Sequence, residues 1–177
     1  MKTIKHISFA LVLVLALVTT LSSCSSDSSS SGSGGLGTLK ASVGGTSFKS
    51  IPQAATAIIA SNGTFQNLSI SGADATGKSL ILTIIGENIG VGTYSITDQS
   101  DEIASGTYTE VDISNPSSAQ VWGAPYDGGG NSGSIIITSM TATNVKGTFS
   151  FTAINATTGT GTKAITNGVF NVNLTSN

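Results

Sequence analysis

Arginine is absent from the 177-residue chain, and histidine and cysteine occur once each, as His6 and Cys24. Charged side chains make up only 9% of it, and there are three prolines. Each shortage excludes something. Phosphate and nucleic-acid recognition relies on clustered Lys and Arg. Here the lysines beyond the N-terminus stand singly at 40, 49, 78, 146 and 163, so no nucleic-acid partner is expected. His6 lies in an N-terminal segment that reads, below, as removed. That leaves no imidazole for Ser-His-Asp or Cys-His nucleophile systems. With Cys24 committed to another chemistry, no thiolate is left for zinc or related metals and no pair for a disulfide. The fold must then be held by core packing alone.

Long hydrophobic runs are also scarce, and the one present comes first. Lys2 and Lys5 precede residues 7–18, which are apolar except for Ser8. This run of 12 residues is too short for a bilayer core, which takes about 20. Thr19 and Thr20 lead to Leu21-Ser22-Ser23-Cys24. A basic start, a short apolar run and small residues before a cut form the secretory signal pattern. The alternative is an ordinary signal peptide cut near Ser23, with Cys24 a plain thiol. Leu-Ser-Ser-Cys fits a lipobox at each position, and the segment resembles the signal of bacterial lipoproteins. The resemblance implies removal of residues 1–23, a thioether-linked diacylglycerol on Cys24 and usually a third acyl chain on the new N-terminus. Two or more chains anchor stably, at about 0.8 kcal/mol per buried methylene. Ser25 stands where an Asp would retain the protein at the inner membrane, which implies the outer membrane. Its periplasmic or surface face stays open.

From Cys24 onward five lysines face nine carboxylates, a formal charge of −4. Residues 24–37 are the lipidated cysteine and a Ser/Gly tether, a composition that behaves as a flexible coil. Its mean reach is about 20 Å. Residues 38–177 are long enough for a single domain with a substantial core.

Abundant Gly, Ser, Thr and Asn with many β-branched residues favour strands and turns. Thr38–Val43 reads as a strand, and Gly44-Gly45 as a two-residue turn into Thr46–Lys49. Residues 54–60 are apolar and short, a strand or one or two helical turns, and Ile58, Ile59 and the Asn62-Gly63 turn favour the strand; Leu68 and Ile70 share a face of the next. Residues 80–85 are apolar on both faces, which predicts a central strand covered on both sides. Residues 107–113 alternate, and the expectation is that Thr109, Val111 and Ile113 face the core, with Tyr108, Glu110 and Asp112 outside. Residues 119–123 read as a short edge strand, and 125–133 as a glycine-rich loop. The cleanest period-2 signal sets Val145, Gly147, Phe149, Phe151 and Ala153 inward and Lys146, Thr148, Ser150 and Thr152 outward. Ile165 is out of phase with Phe170, Val172 and Leu174, which predicts a bulge at Asn167-Gly168. About ten short strands and no helical pattern predict an all-β, mostly antiparallel β-sandwich or open barrel.

Two segments carry a second resemblance, residues 147–153 (GTFSFTA) and 165–172 (ITNGVFNV), with Gly92-Thr93-Tyr94 in mid-chain. They are similar to a family of uncharacterised Bacteroidota outer-membrane lipoproteins, a domain of unknown function in which a like hairpin ends the domain. The resemblance covers most of residues 38–174 and implies the fold and the outer membrane. It implies no activity.

Candidate chemistry is sparse. Asp98, Asp101 and Glu102 put three carboxylates within five residues. Oxygen ligands suit Ca²⁺, but the Gly and Asn spacing of an EF-hand is missing, and a solvated loop is the plainer reading. A glycosidase pair such as Glu87 with Glu110 needs its carboxyls about 5–9 Å apart. Trp122, Tyr126 and Asp127 lie within six residues beside Gly128-Gly129-Gly130. Aromatic rings and a carboxylate in a loop suit a sugar ligand, whereas Trp122 as a core plug with Tyr126 over a sheet edge is the structural alternative. The three glycines are no phosphate loop, since no G-x-x-x-x-G-K-[ST] is present. No cofactor motif and no committed metal site emerge. Two function classes remain. One is a non-catalytic binding or surface-accessory module for a glycan or an envelope protein. The other is a hydrolase working with carboxylates alone. The missing His and Arg favour the first.

Overall fold

Strands make up most of the structure, a computed structural model that describes residues 34–98 and 103–177. In chain order they are β1 Thr38–Val43, β2 Thr46–Lys49, β3 Thr56–Asn62, β4 Phe65–Ala73, β5 Lys78–Gly86 and β6 Gly92–Thr97. β7 Ile103–Asp112, β8 Asn115–Ala124, β9 Asn131–Met140, β10 Asn144–Asn155 and β11 Thr162–Ser176 follow. Among the described residues the one helical element is a 3₁₀ turn at Pro52–Ala54. Turn residues fix the register. Gly44 and Gly45 take φ of +55° and +85°, the two positive values that a tight hairpin between right-twisted strands needs. Asp74 closes the β4–β5 turn, its Oδ1 accepting the N–H groups of Thr76 at 2.8 Å and Lys78 at 3.0 Å.

Pairing runs β2-β1-β11-β3-β4-β5-β7-β8-β10-β9-β6, and β10 also pairs with β11. That extra pairing closes the ladder into a ring of β11, β3, β4, β5, β7, β8 and β10. The result is a sandwich. One layer holds β2-β1-β11-β10-β9-β6 and the other β3-β4-β5-β7-β8. Two corners join them: the end of β11 runs parallel to β3, and Ile154 and Asn155 at the end of β10 meet Gly123 and Trp122 of β8. All other pairings are antiparallel. Sandwich and barrel therefore meet in one architecture, with continuous hydrogen bonding at both corners.

The core lies between the layers. Leu39, Leu68, Ile70, Leu80, Ile84, Ile96, Ile135, Val145 and Ile165 are fully buried, each contributing on the order of 1.5–3 kcal/mol. The expected inward set of β10 is buried, Phe149 and Phe151 included, with Lys146 and Thr148 half-buried on the other face. Room for the phenylalanines comes from glycines. Phe149 is opposite Gly168, Phe170 opposite Gly147, and a Cβ on Gly106 of the facing layer would fall 2.5 Å from the Phe151 ring. The bulge also forms where the phase break placed it. β11 carries one extra residue against β1 between Thr166 and Val169 and against β10 between Ile165 and Gly168, with Asn167 at φ +52°.

Three expectations fail. Along β7 the inward set is Ala104, Gly106 and Tyr108, while Val111 is half-buried and Ile113 is 66% exposed. On this face Gly106 leaves the room that the Phe151 ring fills. Residues 80–85 are not covered on both faces. Leu80, Leu82 and Ile84 are buried, but Ile81 is 40% exposed on the outer face. Residues 119–123 are not a short strand of their own but part of the ten-residue β8, paired along its length with β7 and with β10 only at Trp122 and Gly123. The Asn115-Pro116 step opens that strand, and the edges are β2 and β6.

Candidate functional site

The inverted phase of β7 changes which residues meet. Register places Lys78 opposite Glu110, Leu80 opposite Tyr108, and Tyr108 opposite Trp122. From the other layer Lys163 is opposite the buried Ala153, which turns its side chain inward as well. The inner face is apolar along most of its length. At this one end it becomes polar, and a cleft of about 170 Å³ opens there. It is lined by Val43, Thr46 and Phe48 of the β1–β2 hairpin and by Lys78, Tyr108, Glu110 and Lys163.

Glu110 is the centre of the polar group. Its Oε2 accepts from Lys163 Nζ at 2.7 Å and its Oε1 from the Tyr108 hydroxyl at 3.1 Å. The Lys163 side chain is 19% exposed and that of Glu110 34%. The ion pair therefore links the two layers in a half-shielded setting. Lys163 is also held by rings, 4.5 Å from the Trp122 centroid and 5.4 Å from that of Tyr108, within cation–π range. Tyr108 in turn meets Phe48 edge to face at 6.0 Å.

These contacts set the protonation states. Burial pushes the Glu110 carboxyl up, but the hydrogen bonds from Lys163 and Tyr108 and the charges of Lys163 and Lys78 outweigh it and hold the group below the ordinary value. Burial raises the Tyr108 phenol well above its usual range, and the Glu110 charge adds to this. Glu110 is thus a fixed carboxylate and Tyr108 a fixed donor. That suits binding and orienting a ligand. A general acid needs the opposite shift, a carboxyl raised toward neutrality.

The residues singled out from sequence fall in different places. Trp122 is partly buried, packed on the core beneath Lys163, and its Nε1 is buried without a partner. The half-buried Tyr126 belongs to its own loop, its ring lying 2.8 Å from where a Cβ on Gly129 would sit. Asp127 is exposed. Asp98 is exposed, with Thr97 Oγ1 at 3.4 Å, and Asp101 and Glu102 lie outside the described residues. Glu87, exposed beyond the far end of β5, is nine residues from Lys78, the partner of Glu110. At about 3.3 Å per residue the separation is roughly 30 Å, so Glu87 and Glu110 do not form a glycosidase pair. Cys24 and the signal segment lie outside the described residues. Among the described residues no helix is long and apolar enough to cross a membrane.

Residues 37–172 match a family described as a domain of unknown function, DUF6252. No curated protein matches the chain. No solved structure matches it either.

Proposed function

The chain belongs to the DUF6252 family, and we propose that it is a lipid-anchored, non-catalytic binding module of the bacterial outer membrane. On this reading Leu21-Ser22-Ser23-Cys24 is the lipobox of a Bacteroidota lipoprotein, Cys24 carries the acyl chains, and the β-sandwich presents a ligand site. The observation that carries the binding role is the cluster of Lys78, Glu110 and Lys163 on the inner face at one open end. Charged groups turned inward cost desolvation unless they are paired or used. The cleft is below the roughly 300–1,000 Å³ of sites for drug-sized ligands. It fits one small polar group, such as a sugar ring of an envelope glycan. Lys78 and Lys163 would donate to ligand oxygens and Glu110 would accept from hydroxyls. Tyr126 and Asp127 are the candidates for contacts outside the cleft.

Trp122 is the one tryptophan and supports Lys163 directly. A ligand that engages Lys163 should change its emission. Titration with a panel of neutral and acidic oligosaccharides should reveal a saturable change. Lys78→Ala should weaken the response about 10-fold or more, the loss of one hydrogen bond from a charged group. Binding that survives Lys78→Ala and Glu110→Gln undiminished would remove the cleft from the proposal. Metabolic labelling with an alkyne fatty acid tests the anchor separately. The label should be lost in Cys24→Ala.

A further inference from the structure

Charge is divided by layer. The six strands β2, β1, β11, β10, β9 and β6 contain Lys40, Lys49, Lys146 and Lys163 and no Asp or Glu. Lys163 turns inward to Glu110. The other three share the outer face. Lys40 is directly opposite Lys49, and their neighbours Leu39, Ala41 and Phe48 are buried on the inner face. Across β11, Lys40 is opposite Val169, and Lys146 is opposite Asn171 two positions on. Strands about 4.8 Å apart with 3.3 Å per residue put Lys146 and Lys40 roughly 12 Å apart at Cα. Like charges directly opposite one another destabilise a sheet. Among the described residues none of the three is in an ion pair. A concentrated positive face on a chain of net negative charge suits an anionic partner.

The path of the chain points to which anion. Asn171 of β11, on that same outer face, donates from Nδ2 to the Gly34 carbonyl at 2.7 Å. The chain therefore enters the domain over the basic face, beside Lys146. Only nine residues, 25–33, separate Gly34 from Cys24. Fully extended they span at most about 30 Å.

We infer that the outer face bearing Lys40, Lys49 and Lys146 is the surface that rests on anionic phospholipid headgroups. The short lead from Cys24 would hold this face toward the bilayer and leave the open-ended cleft accessible. The inference rests on the lipid-anchor reading. Each lysine near an anionic surface adds roughly a fivefold preference for the docked state, screened by salt.

The test couples the chain from residue 24 onward, through its one thiol, to a maleimide lipid in vesicles. The vesicles are phosphatidylcholine alone or phosphatidylcholine with phosphatidylglycerol. Lysine acylation is then read by mass spectrometry. Lys40, Lys49 and Lys146 should react about 5–10-fold more slowly on the phosphatidylglycerol vesicles, Lys78 should be unchanged, and about 0.5 M salt should abolish the difference. Equal rates on both vesicle types, or protection of Lys78 instead, would overturn the inference. Because the coupling is chemical, the outcome does not depend on whether cells acylate Cys24, which fatty-acid labelling reads on its own.

Discussion

Glu110 receives one hydrogen bond from its own strand and one from the facing layer, so its charge state bears on how the layers hold together. Its folded-state pKa lies below the ordinary 4.5. A depressed carboxyl contributes stability that is fully present above the unfolded value and is lost as pH falls through the folded one. Asp74, where burial opposes but hydrogen bonds from Lys78 and Thr76 prevail, acts in the same direction. Urea melts should therefore show Glu110→Gln less stable than wild type at pH 7, with the gap narrowing below about pH 4.5. A gap of constant size would mean that the carboxylate charge is not what links the layers. A double-mutant cycle with Lys163→Ala isolates the pair. Exposed ion pairs give about 0–1 kcal/mol. This one, half-shielded and joined by Tyr108, should reach the upper end of that range or slightly exceed it.

Within the strands, packing depends on glycines set against phenylalanines. Phe151, 3% exposed, fills the space over Gly106. Phe151→Ala should cost about 3–5 kcal/mol in a urea melt. Gly106→Ala forces its new methyl into that ring and should cost about 1–3 kcal/mol as an overpacked site. A smaller residue 151 in the Gly106→Ala background should recover part of the loss. Full additivity of the two changes would mean that they do not meet. This pairing also explains what was legible beforehand. In β10 both phenylalanines and Val145 share one face, so alternation alone gave its phase. In β7 the inward residues are Ala104, Gly106 and Tyr108, and hydropathy picks the opposite phase because Val111 and, just beyond the strand, Ile113 are more apolar than these. That one inversion hid the cleft. It placed Tyr108 and Glu110 outside, and no local pattern links Glu110 to Lys163, 53 residues further on. The bulge at Asn167 was legible because a phase break along one strand needs no partner to be seen.

Across the whole molecule, no cysteine other than Cys24 is present to form a cross-link, and closure of the ladder takes over that role. The last residues of β11 make the parallel pairing with β3 that joins the layers at one corner. Leu174 is 8% exposed there, its N–H reaches the Thr143 carbonyl at 2.9 Å, and the Asn177 N–H reaches that of Ile59 at 3.0 Å. A chain ending at Val172 loses one buried leucine, about 1.5–3 kcal/mol, and several backbone bonds at about 0.5–1.5 kcal/mol each. It also leaves β3 bonded on one side only, and exposes an edge. The combined loss approaches the 5–15 kcal/mol that holds a domain of this size together. The truncated chain should therefore unfold at a much lower urea concentration or fail to fold, by far-UV circular dichroism. Deleting only Ser176 and Asn177, which keeps Leu174, should cost far less. If the chain ending at Val172 melts like the full one, the corner at β3 does not hold the layers together, and stability rests on the β10–β11 hairpin and the apolar core alone.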